Sequence, residues 1–278
     1  MKPTTGSAPI NGAEIYYEVA GEGPPVVLVH AGAADSRMWQ PTFAELAAQH
    51  RVVRYDLRGF GRSALSGGPF SHVADLAGLL DFLDIPTAAL VGASYGGSIA
   101  IDFCILHPQR VSALLLAAPA LGGWEWSEYV RAFGDEEDEA LERGDVSRAV
   151  ELNVHTWVDG PNRAPGQAPG WIAELVTEMQ CAAFEEQLRA DGQVPQPVQE
   201  DALDPPAKER LSEVRVPTLI IVGNQDVSDF LEIANEMVSA IPDARKEVVT
   251  AAHMVTMEQP DAFNRLSLHF LGGGSSSG

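Results

Sequence analysis

Short apolar runs bounded by turn residues alternate along this chain with segments of helical period. Residues 13–19 alternate apolar and polar, the mark of a half-buried strand. Residues 25–30 (PVVLVH) form a compact β-branched run, as expected of a strand covered on both faces. Similar runs lie at 51–55, 88–91, 111–117, 217–222 and 245–249. Between them, helical patterns cover 38–49, 72–83, 95–106, 230–240 and 261–270. In 72–83 the apolar positions Val73, Leu76, Leu79, Leu80 and Leu83 follow the helical period, and Pro108 stops the helix at 95–106. Strand, helix and strand in repetition predict an α/β fold: a mostly parallel central sheet with helices on both faces.

The stretch 122–210 breaks this rhythm. It has no β-branched run long enough for a strand, and helical patterns lie near 125–143, 145–158 and 170–190. A proline-rich connector at 194–206 closes it. We read it as a helical cap inserted into a core domain made of 1–121 and 211–271. Trp124, Trp126, Trp157 and Trp171 favour packed structure over a linker. The glycine–serine end, 272–278, reads as a flexible linker or tag remnant outside the fold.

Charge narrows the range of partners. The 278 residues carry a net charge of −21, and 122–210 alone holds 20 acids against 7 bases. Such a surface repels phosphate backbones and anionic membranes, so neither nucleic acid nor membrane is expected as a partner. Residues 1–9 lack the apolar run of a signal peptide, and no apolar stretch reaches the length of a membrane span. The two cysteines, Cys104 and Cys181, stand far apart and suggest no disulfide framework. The expectation is a cytoplasmic protein.

The sharpest chemical signal is Gly92-Ala93-Ser94-Tyr95-Gly96, set between the run at 88–91 and the helix at 95–106. A serine on such a turn projects its hydroxyl into the open, and glycines on either side avoid a strand–helix clash. The helix start offers free amides to a developing oxyanion. A serine hydroxyl needs a base, and the chain has seven histidines. No H-E-x-x-H or C-x-x-C is present, and no G-x-G-x-x-G follows a strand, so no metal or nucleotide cofactor is expected.

Four stretches, in order, carry a family resemblance: His30-Ala31-Gly32-Ala33 after a strand; residues 56–63 (DLRGFGRS); the Ser94 turn followed by His107-Pro108-Gln109-Arg110-Val111; and Gly223-Asn224-Gln225-Asp226 with His253. The chain resembles the α/β-hydrolase superfamily, and within it the capped serine esterase and lactonase branch, which includes 3-oxoadipate enol-lactonases. The resemblance covers about 10–121 and 211–271. It implies Ser94 as nucleophile, His253 as base and Asp226 as its acid, with Asp229 as the nearby rival. It implies an oxyanion hole from the backbone amides of Tyr95 and Gly32, with Ala33 as the alternative to Gly32. His30 reads as a turn-stabilising residue and 56–63 as a loop brace. The chain departs from the family at Ala252, where glycine usually precedes the histidine, and at Ala31 and Ala33.

These residues predict acyl transfer on a small, largely apolar ester or lactone. Trp124, His155 and Trp157 are the insertion's candidates for substrate contact, and Phe133, Met179 and Phe184 add apolar side chains. A carbon–carbon bond hydrolase or perhydrolase on the same triad is the alternative chemistry, and a non-catalytic small-molecule binder the alternative class. The oligomeric state is open.

Overall fold

The computed structural model describes residues 2–65, 70–164, 166–190 and 203–272. Most of the connector at 194–206 and of the glycine–serine end lies outside the described residues. The strands are β1 (Thr4–Ile10), β2 (Ala13–Ala20), β3 (Pro25–Val29), β4 (Arg51–Tyr55), β5 (Ala88–Ala93), β6 (Val111–Ala117), β7 (Thr218–Gly223) and β8 (Ala244–Val249). The α-helices are α1 (Gln40–Leu46), α2 (His72–Phe82), α3 (Tyr95–Leu106), α4 (Glu128–Glu142), α5 (Val146–Asn153), α6 (Gly170–Ala190), α7 (Ala207–Arg210), α8 (Ser228–Ala240), α9 (Val255–Glu258) and α10 (Pro260–Leu271).

The eight strands form one sheet in the order β1-β2-β4-β3-β5-β6-β7-β8. From β4 to β8 every pairing is parallel, while β2 runs antiparallel to both β1 and β4. Period-two alternation divides each central strand between two cores. Val27, Leu90, Leu116 and Ile220 face one way, where they meet Leu76, Phe103 and Ile233 from the helices. Val26, Leu28, Val91 and Ile221 face the other way, against Trp39, Phe43 and Phe263. Burial on both faces explains why these strands read as unbroken apolar runs.

The first strand escapes the sequence pattern. β1 (TTGSAPI) contains glycine, serine and proline, and only Ala8 and Ile10 are buried. It is a strand because it pairs with β2 at the sheet edge, which is a tertiary cause. The helix expected at 38–49 is also different: a 3-10 turn, Ser36–Trp39, leads into the shorter α1, with Pro41 in its first turn.

The insertion contributes α4, α5 and α6. Ala140, Ala149, Val150 and Phe184 form a small core among them, while Ile172, Val176 and Met179 of α6 join the core on one face of the sheet. The helix expected at 145–158 changes character part-way. Beyond Asn153 it widens into a π-helical turn, Val154–Asp159, which ends at Gly160 with φ 76°. No helix among the described residues is long and apolar enough to cross a membrane.

Candidate active site

Ser94 lies between the end of β5 and the start of α3 with φ 50° and ψ −115°, a backbone conformation that L-residues rarely adopt. Hydrogen bonds hold it there. Its amide donates to Ala117 O at 2.9 Å, and its carbonyl accepts from Gly97 and Ala120. The flanking glycines are sterically required. A Cβ on Gly92 would lie 2.4 Å from Gly96 O, and one on Gly96 would lie 2.3 Å from Val29 O. The turn closes because both positions lack a side chain.

His253 follows β8 and a short turn. Its Nδ1 lies 2.8 Å from Asp226 Oδ2. Both side chains are buried, and with the proton on Nδ1 the imidazole donates to the carboxylate and leaves Nε2 free as a base. The ring sits between Phe230 and Trp157, with centroids 4.2 Å and 4.9 Å away. The other Asp226 oxygen accepts from the Val227 amide at 2.7 Å. The rival carboxylate is occupied elsewhere: Asp229 accepts from the Ser127 amide at 2.8 Å and from the Trp124 indole at 3.4 Å, tying the start of α8 to the start of α4.

Ser94, Tyr95, Gly32, Ala33 and His253 line one cavity of about 350 Å³, a volume suited to a small molecule. Both alternatives for the second oxyanion donor, Gly32 and Ala33, are therefore at the cavity wall. The insertion supplies the opposite wall. Phe133, Leu141, Trp157 and Phe184 make its apolar part, and Glu137, Asp138, Asn153, Gln180 and Gln187 its polar part. Asn153 donates its side-chain amide to Glu137 and to Ala149 O. Burial lifts the Glu137 carboxyl above the ordinary carboxylate range; the Asn153 hydrogen bond opposes this and repulsion from Asp138 adds to it.

Of the three insertion residues expected at the substrate, only Trp157 reaches the cavity. Trp124 is a correction: its indole is spent on Asp229, under the ammonium of Lys208. His155 is a second correction. It is exposed on the π-helical turn, two residues from Trp157 and outside the cavity lining. Met179 is buried instead against the loop after β3, where its sulfur accepts from the Asp35 amide at 3.3 Å.

His30 has the bracing role its position suggested. Its Nε2 accepts from the Leu57 amide at 2.9 Å, so the proton sits on Nδ1 and donates to Ala31 O at 2.8 Å. Burial pushes its pKa down, which keeps the ring neutral. Asp56 accepts from the amides of Ser36 and Arg62, and the Ser63 hydroxyl donates back to Asp56 O, so the 56–63 loop is braced to the loop after β3.

Several supporting residues gave no sequence signal. Gln180 of α6 donates to Gly32 O at 2.9 Å and fixes the loop after β3 from the insertion side. Asn162 donates to Asp226 O at 2.7 Å. Arg163 forms a buried ion pair with Glu258 at 2.6 Å, and Glu258 accepts from the Ala252 amide beside His253. Their partners lie 64 to 148 residues away in sequence, and no local pattern could have marked them.

A parallel sheet with a strained serine between strand and helix, and a His–Asp pair on later loops, defines a class, and the comparison with known families agrees. Residues 26–266 match the model of the Alpha/beta hydrolase family, so the chain belongs to that family. It is 30% identical to RutD, a candidate carbamate hydrolase of Azorhizobium caulinodans, over 94% of this chain and 96% of that protein. It is 27% identical to 3-oxoadipate enol-lactonase 1 of Acinetobacter baylyi, over 95% and 92% of the two chains. The solved enol-lactonase of Burkholderia xenovorans LB400 shares the fold, with a TM-score of 0.76 at 24% identity, covering 96% of this chain and 99% of that one.

Proposed function

We propose that the chain is a serine hydrolase of carboxylic esters or lactones that works through an acyl-enzyme on Ser94. One observation carries the reading: the buried His253–Asp226 contact of 2.8 Å opens onto the cavity that the strained Ser94 also lines. His253 Nε2 takes the Ser94 hydroxyl proton as Oγ bonds to the substrate carbonyl carbon. The tetrahedral oxyanion accepts hydrogen bonds from the Tyr95 amide and from that of Gly32 or Ala33. Collapse breaks the bond to the leaving oxygen, which takes the proton from His253. In a lactone that oxygen stays tethered to the acyl chain. Water, deprotonated by His253, then releases the acid. Asp226 steadies the imidazolium in both halves.

Residues 122–210 act in this reading as a cap that shapes the substrate end of the cavity. Phe133, Leu141, Trp157 and Phe184 supply the apolar wall for a small acyl or alcohol chain. The names of the relatives support acyl chemistry of this kind, since a carbamate and an enol-lactone both present a carbonyl carbon to a nucleophile. The test is turnover of a chain-length series of p-nitrophenyl esters and simple lactones by the parent and by Ser94→Ala. The expected loss is roughly 10³-fold or more. Equal turnover by the two proteins would refute the reading.

A further inference from the structure

The cavity carries a sign of charge. Its insertion wall holds two carboxylates, Glu137 and Asp138, while no lysine or arginine is among the lining residues. The residues outside the described set include no lysine or arginine in their sequence either. Most of the insertion's arginines are engaged with acids, and the exposed Arg131 is not among the lining residues. Arg143, Arg148 and Arg189 pair with glutamates at the surface, and Arg163 is buried against Glu258. An anionic substrate group entering this space would lose water and meet like charge with no cation to replace it.

A cation meets the reverse conditions. Glu137 is held in place by the Asn153 amide, which is itself buried and fixed to Ala149 O. Phe133 and Trp157 line the same wall as an edge-to-face pair with centroids 5.0 Å apart, and aromatic rings attract cations over their faces. The raised pKa of Glu137 reflects burial and the proximity of Asp138, a repulsion that a bound cation relieves.

We propose that this cavity selects substrates whose chain beyond the scissile carbonyl is neutral or cationic and rejects those bearing a carboxylate there, with Glu137 as the specificity-determining residue. The proposal rests on the ester-hydrolase reading and sharpens it. It separates this chain from hydrolases whose substrates are dicarboxylic acid derivatives.

The test uses three p-nitrophenyl esters of matched length: the heptanoate, the monoadipate and the 5-(trimethylammonio)pentanoate. At pH 8 the expected kcat/KM for the monoadipate is at least about tenfold below that of the heptanoate, and the cationic ester equals or exceeds the heptanoate, as a like or opposite charge in a partly dry cavity dictates. Glu137→Gln should narrow the ratio of cationic to anionic ester by about fivefold, and Asp138→Asn should narrow it less. The same three esters are titrated calorimetrically into Ser94→Ala, where binding is read without turnover. If no ester is turned over but binding keeps the order, the catalytic reading fails and the charge selection stands. A monoadipate that binds or reacts as well as the heptanoate overturns the proposal. So does a cationic-to-anionic ratio that Glu137→Gln leaves unchanged.

Discussion

The bare Cα of Gly160 faces the methyl of Ala252: a Cβ built on Gly160 would stand 2.8 Å from Ala252 Cβ and 3.1 Å from Gln225 O. Ala252 is the residue before His253, at the place where the resemblance leads one to expect glycine. The space for its methyl comes from the insertion, where the π-helical turn ends at Gly160 with φ 76°. The alanine and the glycine are fitted to each other across two segments far apart in sequence.

Gly160→Ala should therefore cost about 2 kcal/mol, from the strained φ and the clash together. In thermal denaturation that is a drop of about 5 °C in Tm. Adding Ala252→Gly removes the clash and leaves the strain, so the double variant should regain part of the loss. Additive effects of the two changes would mean that the residues do not press on each other.

Gln180 reaches from α6 to the carbonyl of Gly32 at 2.9 Å and holds the loop proposed to carry the second oxyanion donor. Gln180→Met keeps the volume and removes the donor. We expect kcat to fall about threefold to tenfold, the worth of one neutral hydrogen bond, with a smaller change in KM. A change confined to KM would make Gln180 a substrate contact rather than a loop support.

Acid should weaken the fold through His72. Its ring is buried beside Tyr95 and Phe70, and its pKa is pushed down to about 3, chiefly by burial, with the nearby His30 and Arg58 adding to the effect. The unfolded chain binds a proton near pH 6.5 and the folded one does not, so stability is full above about pH 6.5 and falls as pH drops toward 3. Between pH 7 and pH 5 one such histidine costs about 2 kcal/mol. Urea melts at the two pH values should show that loss in the parent and a smaller one in His72→Phe, while His30, also neutral and buried, keeps its share. An identical pH response in the variant would exclude His72 as a source.

What the sequence displayed depended on how local the cause is. The central strands, their flanking helices and the Ser94 turn follow from short-range patterns: continuous β-branched runs, a 3.6 period, and glycines on either side of a serine. The contact of His253 with Asp226 rather than Asp229 agrees with what the resemblance at Gly223-Asn224-Gln225-Asp226 implied. The edge strand β1 was not, because only Ala8 and Ile10 are buried and pairing with β2 does the rest. Nor could the direction of the insertion's side chains be read. The turn after Asn153 widens from α to π geometry, which shifts the phase of everything beyond it. Trp157 then faces the cavity and His155 faces out, and which of the two would do so depends on how the helix is set against the sheet, a tertiary cause. Trp124 was drawn away by Asp229, a partner 105 positions along the chain.

The most direct measurement of the central claim is mass spectrometry of the folded protein after treatment with a fluorophosphonate, which reacts with a serine only where a base and an oxyanion hole activate it. One adduct per chain is expected, mapped to the peptide bearing Ser94 and lost in Ser94→Ala and His253→Ala. A folded protein that takes no label, or that labels equally in Ser94→Ala, would contradict it.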